Sequence, residues 1–506
     1  MNGEKVSLPS AAKPSTLQNE EGFKSGSAKS FRNLKRKRYS APPKDCDTFP
    51  CSRRRSCDGV GELRRSFDPF TEEVSPTDLS TRHGNKKSPS AGEFIRRTER
   101  LEAVGRSLDE GIFPLKTTRA LDLKSKKKPQ LPGAWLQATP NVEGARLEAI
   151  SLLCFRFEQA TRKHLGRCWA NKFEEFLLCH DHSEDPLLPS DNDATSFLIS
   201  HLIATGIEKP TVHQVVFSLL THLREARRSI MTAATLSSSN GELPQLVTVF
   251  DNSKREPRVI MSLGRAKVEM HTEYFDKLRR LFAMTSKKST PFSSRDETIF
   301  QSATFSLLCR YTAAQGGMYH ISGGHHAALH GAVFDILRFG LNVEAECFAS
   351  PLNCRLHQYC SLFPDTDTIF GSVGSFFAFF PSEGSFECNP PFEEGIVLRS
   401  AKHVLLLLKR SEEFEKALSF TVITPYWPGR LAWETFACSL YTSHIEIITR
   451  KNHGYLDGAQ HTKRKRYRSA SSDTTVFFLQ SSAGKKRFPV TANLLRSLKV
   501  AFMPHA

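Results

Sequence analysis

Hydrophobic positions are sparse and unspaced through the first 130 residues and become periodic from Glu143 onward. Leu147, Ile150, Leu153, Cys154 and Phe157 fall three or four apart, the spacing that gathers side chains on one face of a helix. Phe173, Phe176 and Leu177 continue it, and apolar periods follow at 197–203 and 212–223. Within this stretch 246–250 and 258–261 have strand character, so the pattern predicts a mainly helical domain over 140–295 with one bend or hairpin. After about residue 300, short β-rich runs alternate with helical segments, which predicts an α/β sheet domain over 300–500. Strands are expected at 345–349, 385–388, 420–424, 445–449 and 475–479, and helices at about 326–339, 394–411 and 429–440.

Charge changes the picture at the N-terminal end. The formal charge is +17, and residues 1–130 carry 28 Lys/Arg against 17 Asp/Glu, so +11 of the excess lies there. With its Ser, Pro, Lys and Arg content, 1–130 is expected to be a disordered basic tail. Lys35 to Arg38 and Arg53 to Arg55 are clusters of the kind read by nuclear import receptors or RNA, so a nuclear location, with the cytoplasm as the alternative, is expected. Clustered cations gain affinity for phosphates by releasing counterions, which favours a nucleic-acid partner. No run approaches the ~20 apolar residues that cross a bilayer, and no signal-peptide core is present, so no membrane is expected. The 12 cysteines show no paired short spacing and are read as reduced thiols. Cys347, Cys354, Cys360, His320, His325, His326 and His330 form neither a C-x2-C half-site nor H-E-x-x-H, so no metal is expected.

The most specific chemistry is the run GSFECNPPF at 384–392, an Asn-Pro-Pro-aromatic tetrapeptide directly after a short strand. In open α/β sheets ligands bind at the carboxyl ends of strands, so this loop should face a pocket. An exocyclic amine offers two N–H groups. The Asn389 carboxamide oxygen can accept one and the Pro390 carbonyl the other, turning the lone pair towards an electrophilic methyl. Pro390 and Pro391 fix φ and hold those acceptors rigid, which matters because misplacement by ~1 Å can cost ~100-fold. Phe392 offers a flat face for a base, worth roughly 1–3 kcal/mol. No covalent nucleophile is needed, and Cys388 is read as a buried strand thiol. Taken alone, the tetrapeptide also fits a plain rigid turn.

The surroundings narrow this reading. ECFASPLNC at 346–354, QYCSLFPDTD at 358–367, FGS at 370–372 and GSFECNPPF at 384–392 closely resemble the phosphorylated CTD-interacting factor family. The resemblance continues at 420–427, 453–461 and 475–480, covers about 310–480 densely, and extends only loosely upstream. Members of that family are mRNA cap-specific adenosine N6-methyltransferases. The resemblance implies a Rossmann-like, S-adenosylmethionine-dependent methyltransferase domain beside the helical domain, with m7G-capped RNA beginning in adenosine bound between them. By position, Asn389, Pro390, Pro391 and Phe392 would hold the target adenine. Phe348, Ala349, Ser350 and Asn353, with Phe370, Gly371 and Ser372, would line the cofactor. Asp365 and Asp367 would accept from its ribose or serve as turn or cap residues.

Departures from the family qualify these implications. Animal members carry an N-terminal WW module that binds the RNA polymerase II tail. Trp135, Trp169, Trp427 and Trp433 form no such paired module, so WW-mediated docking is expected to be absent. Glu393 and Glu394 either read the cap guanine or open a helix, where acids suit the dipole. Glu394 and Trp427, with the basic loop residues Lys463, Arg464, Lys465 and Arg466, are the candidate RNA contacts. Two competing readings are a catalytically silent cap or RNA reader and an N6-adenine methyltransferase acting on DNA or internal RNA sites.

Overall fold

The computed structural model describes Gly133, His180 and residues 135–178, 182–237, 245–253, 255–286, 292–319 and 325–503. The basic tail expected at 1–130, and His320 among the histidines weighed as ligands, lie outside the described residues. No described helix is long and apolar enough to cross a membrane.

Four helices come first: α1 Pro140–Leu165, α2 Trp169–Leu178, α3 Asp191–Ala204 and α4 Lys209–Ser237. The Thr139 hydroxyl accepts from the Val142 N–H to cap α1, and Pro140 sits where its missing donor costs nothing. Asp191 at the start of α3 accepts from Arg224 and Arg227 of α4 at 2.7 and 2.6 Å. Arg224 and Arg227 therefore tie helices together. An antiparallel sheet follows, β1 Val247–Asp251, β2 Arg258–Leu263 and β3 Ala266–His271, in sequential order. The expected hairpin thus gained a third strand, whose alternation is short enough to escape notice. Helices α5 Thr272–Ser286 and α6 Ser294–Ala314 pack behind it. The core of this half runs from Val142 on α1 to Phe370 without a break at 295–300, taking in Leu352, Tyr359 and Phe363.

A buried ion chain holds that core in register. Arg310 of α6 donates to Glu143 of α1 at 2.7 and 2.8 Å and to Asp365 at 2.7 and 3.1 Å. Arg146 links Glu143 to Asp185.

The second half is a six-stranded sheet formed by β4 Ala345–Ala349, β5 Gln358–Ser361, β6 Gly384–Cys388, β7 Leu418–Pro425, β8 Thr442–Ile448 and, last in sequence, β11 Thr474–Gln480. Its order is β5-β4-β6-β7-β11-β8. β5, β4, β6 and β7 pair in parallel, and β11 is antiparallel to both β7 and β8. One face packs on α7 Gly331–Leu341 and α12 Ala492–Phe502, the other on α9 Glu394–Glu413 and α10 Leu431–Ala437; α8 Pro364–Asp367 and α11 Ser482–Arg487 are short. Alternation decides which residues go where: Phe420 and Val422 of β7 face α9, while Ile423 faces α7. A two-stranded hairpin of β9 Gly454–Leu456 and β10 Tyr467–Ser469 stands apart from the sheet.

Strand order places the crevice. The chain leaves β4 for β5 on one side and returns with β6 on the other, so the loops after β4 and β6 diverge. Ligands of open α/β sheets bind outside such a point, at the carboxyl ends of the strands.

Candidate active site

The loop after β6 carries Asn389 to Phe392, and the segment His325–Ala328 holds it. The Asn389 side-chain nitrogen donates to the Ala327 carbonyl at 3.0 Å. The Phe392 N–H donates to the His325 carbonyl at 3.3 Å, and the His325 ring Nδ1 lies 3.1 Å from the Phe392 carbonyl. Ala328 in turn exchanges two backbone hydrogen bonds with Leu456 of β9. Among the described residues nothing bonds the Asn389 Oδ1, which is buried, and no donor reaches the Pro390 carbonyl. These are the two acceptors that the sequence assigned to an amine. The histidine-rich segment at 325–330 was weighed only as a metal site; its backbone as a clamp had no sequence signal.

Phe392 is half-buried and meets the edge of Tyr455, with ring centroids 5.5 Å apart at 73°. The Tyr455 hydroxyl and His453 Nε2 both bond the Thr474 hydroxyl, anchoring that ring to β11. Glu393 accepts from the Ile396 N–H at 2.8 Å and so caps α9, the helix-opening alternative for this pair. Glu394 pairs with Arg430 at 3.0 Å near the surface, and Arg430 lies over Trp427 at 4.9 Å. These two candidate RNA contacts are therefore neighbours, beside the site loop.

The β4 loop closes on itself. Asn353 Oδ1 accepts from both the Ser350 N–H and its hydroxyl, at 2.7 and 2.9 Å. Buried Lys277 clamps the same loop by donating to the Leu352 and Cys354 carbonyls. Ala349 pairs with Ser361, whose hydroxyl bonds Ser372 at 2.6 Å. Phe348, Ala349, Ser350, Asn353 and Ser372 thus gather at the same end of the sheet as Asn389. Gly371 adopts φ +101, a left-handed turn that brings Ser372 back towards β5.

Three expected cofactor residues are placed elsewhere. The Phe370 ring is fully buried beside Phe282 and Phe300, because its apolar face belongs to the first core. Asp365 is held by Arg310. Asp367 is fully buried, accepts from Tyr311 Oη at 2.7 Å, and has its carboxyl pushed up to about 7 by burial. Both carboxylates are engaged by partners inside the fold.

The basic loop is also less free than its composition suggests. Lys463 donates to Asp457 at 2.7 Å, Arg464 pairs with Glu256 at 3.1 Å, and Arg466 pairs with Glu273 and covers the Tyr274 ring. Arg258 and the His271 N–H reach the carbonyls of Thr462 and His461. Lys465 is exposed and has no ion-pair partner among the described residues.

Comparison with known proteins bears on this site. Two curated relatives, one from Homo sapiens and one from Mus musculus, are both named mRNA (2'-O-methyladenosine-N(6)-)-methyltransferase. They are 36% and 35% identical over 239 residues, 46% of this chain and 33% of each relative. The chain spans about a third of the length of the curated relatives it matches. Residues 277–458 match the family model described as the phosphorylated CTD interacting factor 1 WW domain. That match overturns the expectation that a WW module is lacking, and with it the expected absence of WW-mediated docking. Paired tryptophans near the N-terminus are the expected mark of such a module, whereas the match lies in the C-terminal half and includes Trp427 and Trp433. Across residues 277–458, from Lys277 under the β4 loop to the hairpin behind Phe392, the chain is similar to the phosphorylated CTD-interacting factor family.

Proposed function

We propose that this chain is an mRNA cap-specific adenosine N6-methyltransferase. It would transfer a methyl group from S-adenosylmethionine to N6 of the first transcribed, 2′-O-methylated adenosine beside the m7G cap. The observation that carries the reading is the orientation of Asn389. Its amide is turned by Ala327 so that the nitrogen is engaged and the buried oxygen, with no partner among the described residues, is left to accept. A pair of rigid acceptors suits a primary amine with two N–H groups. The names of the human and mouse relatives support adenosine N6 as the target.

The strand order supports a Rossmann-like reading of 300–500, with β11 as the one reversed strand. In this reading 140–295 forms a wall of the RNA groove. The residues around the β4–β6 crevice fit a cationic cofactor. Glu387 of β6 is buried there with neither carboxyl oxygen bonded among the described residues. When bound, the cofactor supplies an electrophilic methyl on a positively charged sulfur. Asn389 and Pro390 then accept the two N6–H bonds, which turns the amine lone pair out of the ring plane towards the methyl. Phe392 stacks on the adenine, backed by Tyr455. The proton lost after alkylation leaves to water. The basic clusters at 35–38 and 53–55 support the nucleus as the place of action.

The test is to incubate the full chain with labelled S-adenosylmethionine and RNAs beginning m7G-ppp-Am, m7G-ppp-A, m7G-ppp-G or uncapped A. Label on the two adenosine-capped RNAs, and little on the others, is expected. Equal label on capped and uncapped RNA overturns the cap as substrate. Binding of both cofactor and RNA without label makes the chain a silent reader.

A further inference from the structure

Two carboxyl groups stand side by side within the sheet. Glu346 of β4 and Glu387 of β6 are in register. Their neighbours Ala345, Cys347, Phe386 and Cys388 all face α9, so both carboxyls lie on the opposite face, towards α7. Both are buried, at 3% and 1% exposure. Their surroundings differ sharply. Glu346 accepts from the Arg355 and Leu356 N–H groups, each at 2.6 Å, and feels the positive charges of Lys277 and Arg355. Neither Glu387 oxygen has a partner among the described residues.

No cation among the described residues acts on Glu387. Its strand places Ser385 and Asn389 on the same face, and β7 sets Thr421 beside it in register. The helix on that face contributes Asp335, which lies 3.7 Å from Arg355, and Arg338, whose influence falls on Arg355. Burial, then the neighbouring Glu346, push the Glu387 carboxyl far above the usual range, and burial carries Glu346 to about 7. Two carboxyls this close in a dry interior do not both ionise unless a further cation joins them. The one with two N–H donors has the better claim to the charge.

A buried carboxyl without donors is costly, and a purely structural acid would collect donors as Glu346 does. Glu387 stands two residues before Asn389, roughly 6–7 Å along the strand from the acceptor proposed for the target amine. We infer that Glu387 reads the charge of the cofactor. It stays protonated in the empty protein and beside the neutral thioether product, and it ionises when a sulfonium group occupies the crevice. The carboxyl O–H bond breaks, its proton passes to solvent, and the carboxylate faces the sulfonium charge across the loop. After methyl transfer the sulfur is neutral, Glu387 takes back a proton, and the attraction that held the cofactor is gone. The inference rests on the methyltransferase reading of the same site.

Calorimetric titration of the full chain with S-adenosylmethionine and with S-adenosylhomocysteine, in two buffers of different ionisation enthalpy at pH 7.5, tests it. About one proton should be released on binding the sulfonium ligand and about none on binding the thioether. Glu387→Gln should abolish that release and raise the Kd of S-adenosylmethionine about tenfold, while leaving that of S-adenosylhomocysteine within about twofold. Equal proton counts for the two ligands, or equal weakening of both by the variant, overturns the role. Should the variant fail to fold, the wild-type proton counts decide alone. Absence of binding by either ligand to the wild-type chain rejects the methyltransferase reading itself.

Discussion

The Asn389 amide nitrogen donates to the Ala327 carbonyl at 3.0 Å, and this bond decides which end of the amide faces the site. A carbonyl only accepts, so the nitrogen must turn towards it and the oxygen away. Asn389→Ala should lower turnover at least about 100-fold while the cofactor Kd changes little, as expected for an interaction made with the reacting amine. Asn389→Asp should fail as badly, because a carboxylate has no hydrogen to give Ala327 and is repelled by it. Single-turnover kinetics beside cofactor titration checks both. A variant that keeps most of its turnover would show that the loop has another purpose.

Phe392 and Tyr455 test the stacking role. Phe392→Ala removes the face offered to the base, and KM for capped RNA should rise about 5- to 150-fold, corresponding to about 1–3 kcal/mol. Tyr455→Phe keeps the edge contact and loses only the bond to Thr474, so its KM should stay near wild type, whereas Tyr455→Ala should fall between. Steady-state kinetics on the three variants orders them. A Tyr455→Ala enzyme matching wild type would separate the hairpin from the site.

Arg310 is the keystone of the buried ion chain. Arg310→Met strands Asp365 without its counter-charge and leaves Glu143 with Arg146 alone, and should cost about 3–5 kcal/mol in denaturant unfolding. The pH dependence follows from Glu143. Burial pushes its carboxyl up, but Arg310 and Arg146 outweigh it and hold the group below its ordinary 4.5. A depressed carboxyl contributes stability that is complete above the ordinary value and is lost as pH falls through the folded one. Wild type should therefore lose stability below about pH 4. In Arg310→Met, with burial less opposed, the Glu143 carboxyl is less depressed, so the part of the stability lost in acid should be smaller than in wild type. Acid melts followed by circular dichroism check the difference; identical acid profiles would remove the network from the stability of the fold.

The loop at 463–466 divides into paired and unpaired cations. Lys465→Gln should reduce the salt slope of RNA binding by about one and leave the melting temperature unchanged. Arg466→Gln should lower the melting temperature, because it removes the ion pair with Glu273 and uncovers Tyr274. Fluorescence anisotropy across a salt series, with a thermal melt of each variant, separates the two effects. An unchanged slope for Lys465→Gln would make that lysine ordinary solvated surface.

Much of the sheet was legible because its strands are short, apolar and bounded by turns. The strand at 345–349 is as expected, and the strands near 385, 420, 445 and 475 differ only at their ends. β5 Gln358–Ser361 was missed: four residues give too little alternation to read, and the strand owes its existence to pairing with β4. β9 and β10, at three residues each, form for the same reason.

The sequence by itself determined the chemistry proposed for the site, because Asn-Pro-Pro-Phe places acceptors, rigidity and a stacking face within four consecutive residues. It could not determine what surrounds them, since the same residue types serve core and site alike. Only the tertiary structure decided that Asp365, Asp367 and Phe370 belong to the interior, that three cations of the basic loop are already paired, and that Ala327 orients Asn389 across 62 residues of chain. It also set Glu346 beside Glu387, two acids 41 positions apart that become neighbours when β4 and β6 pair. Local chemistry is written in local sequence; partners across strands exist only once the strand order is formed.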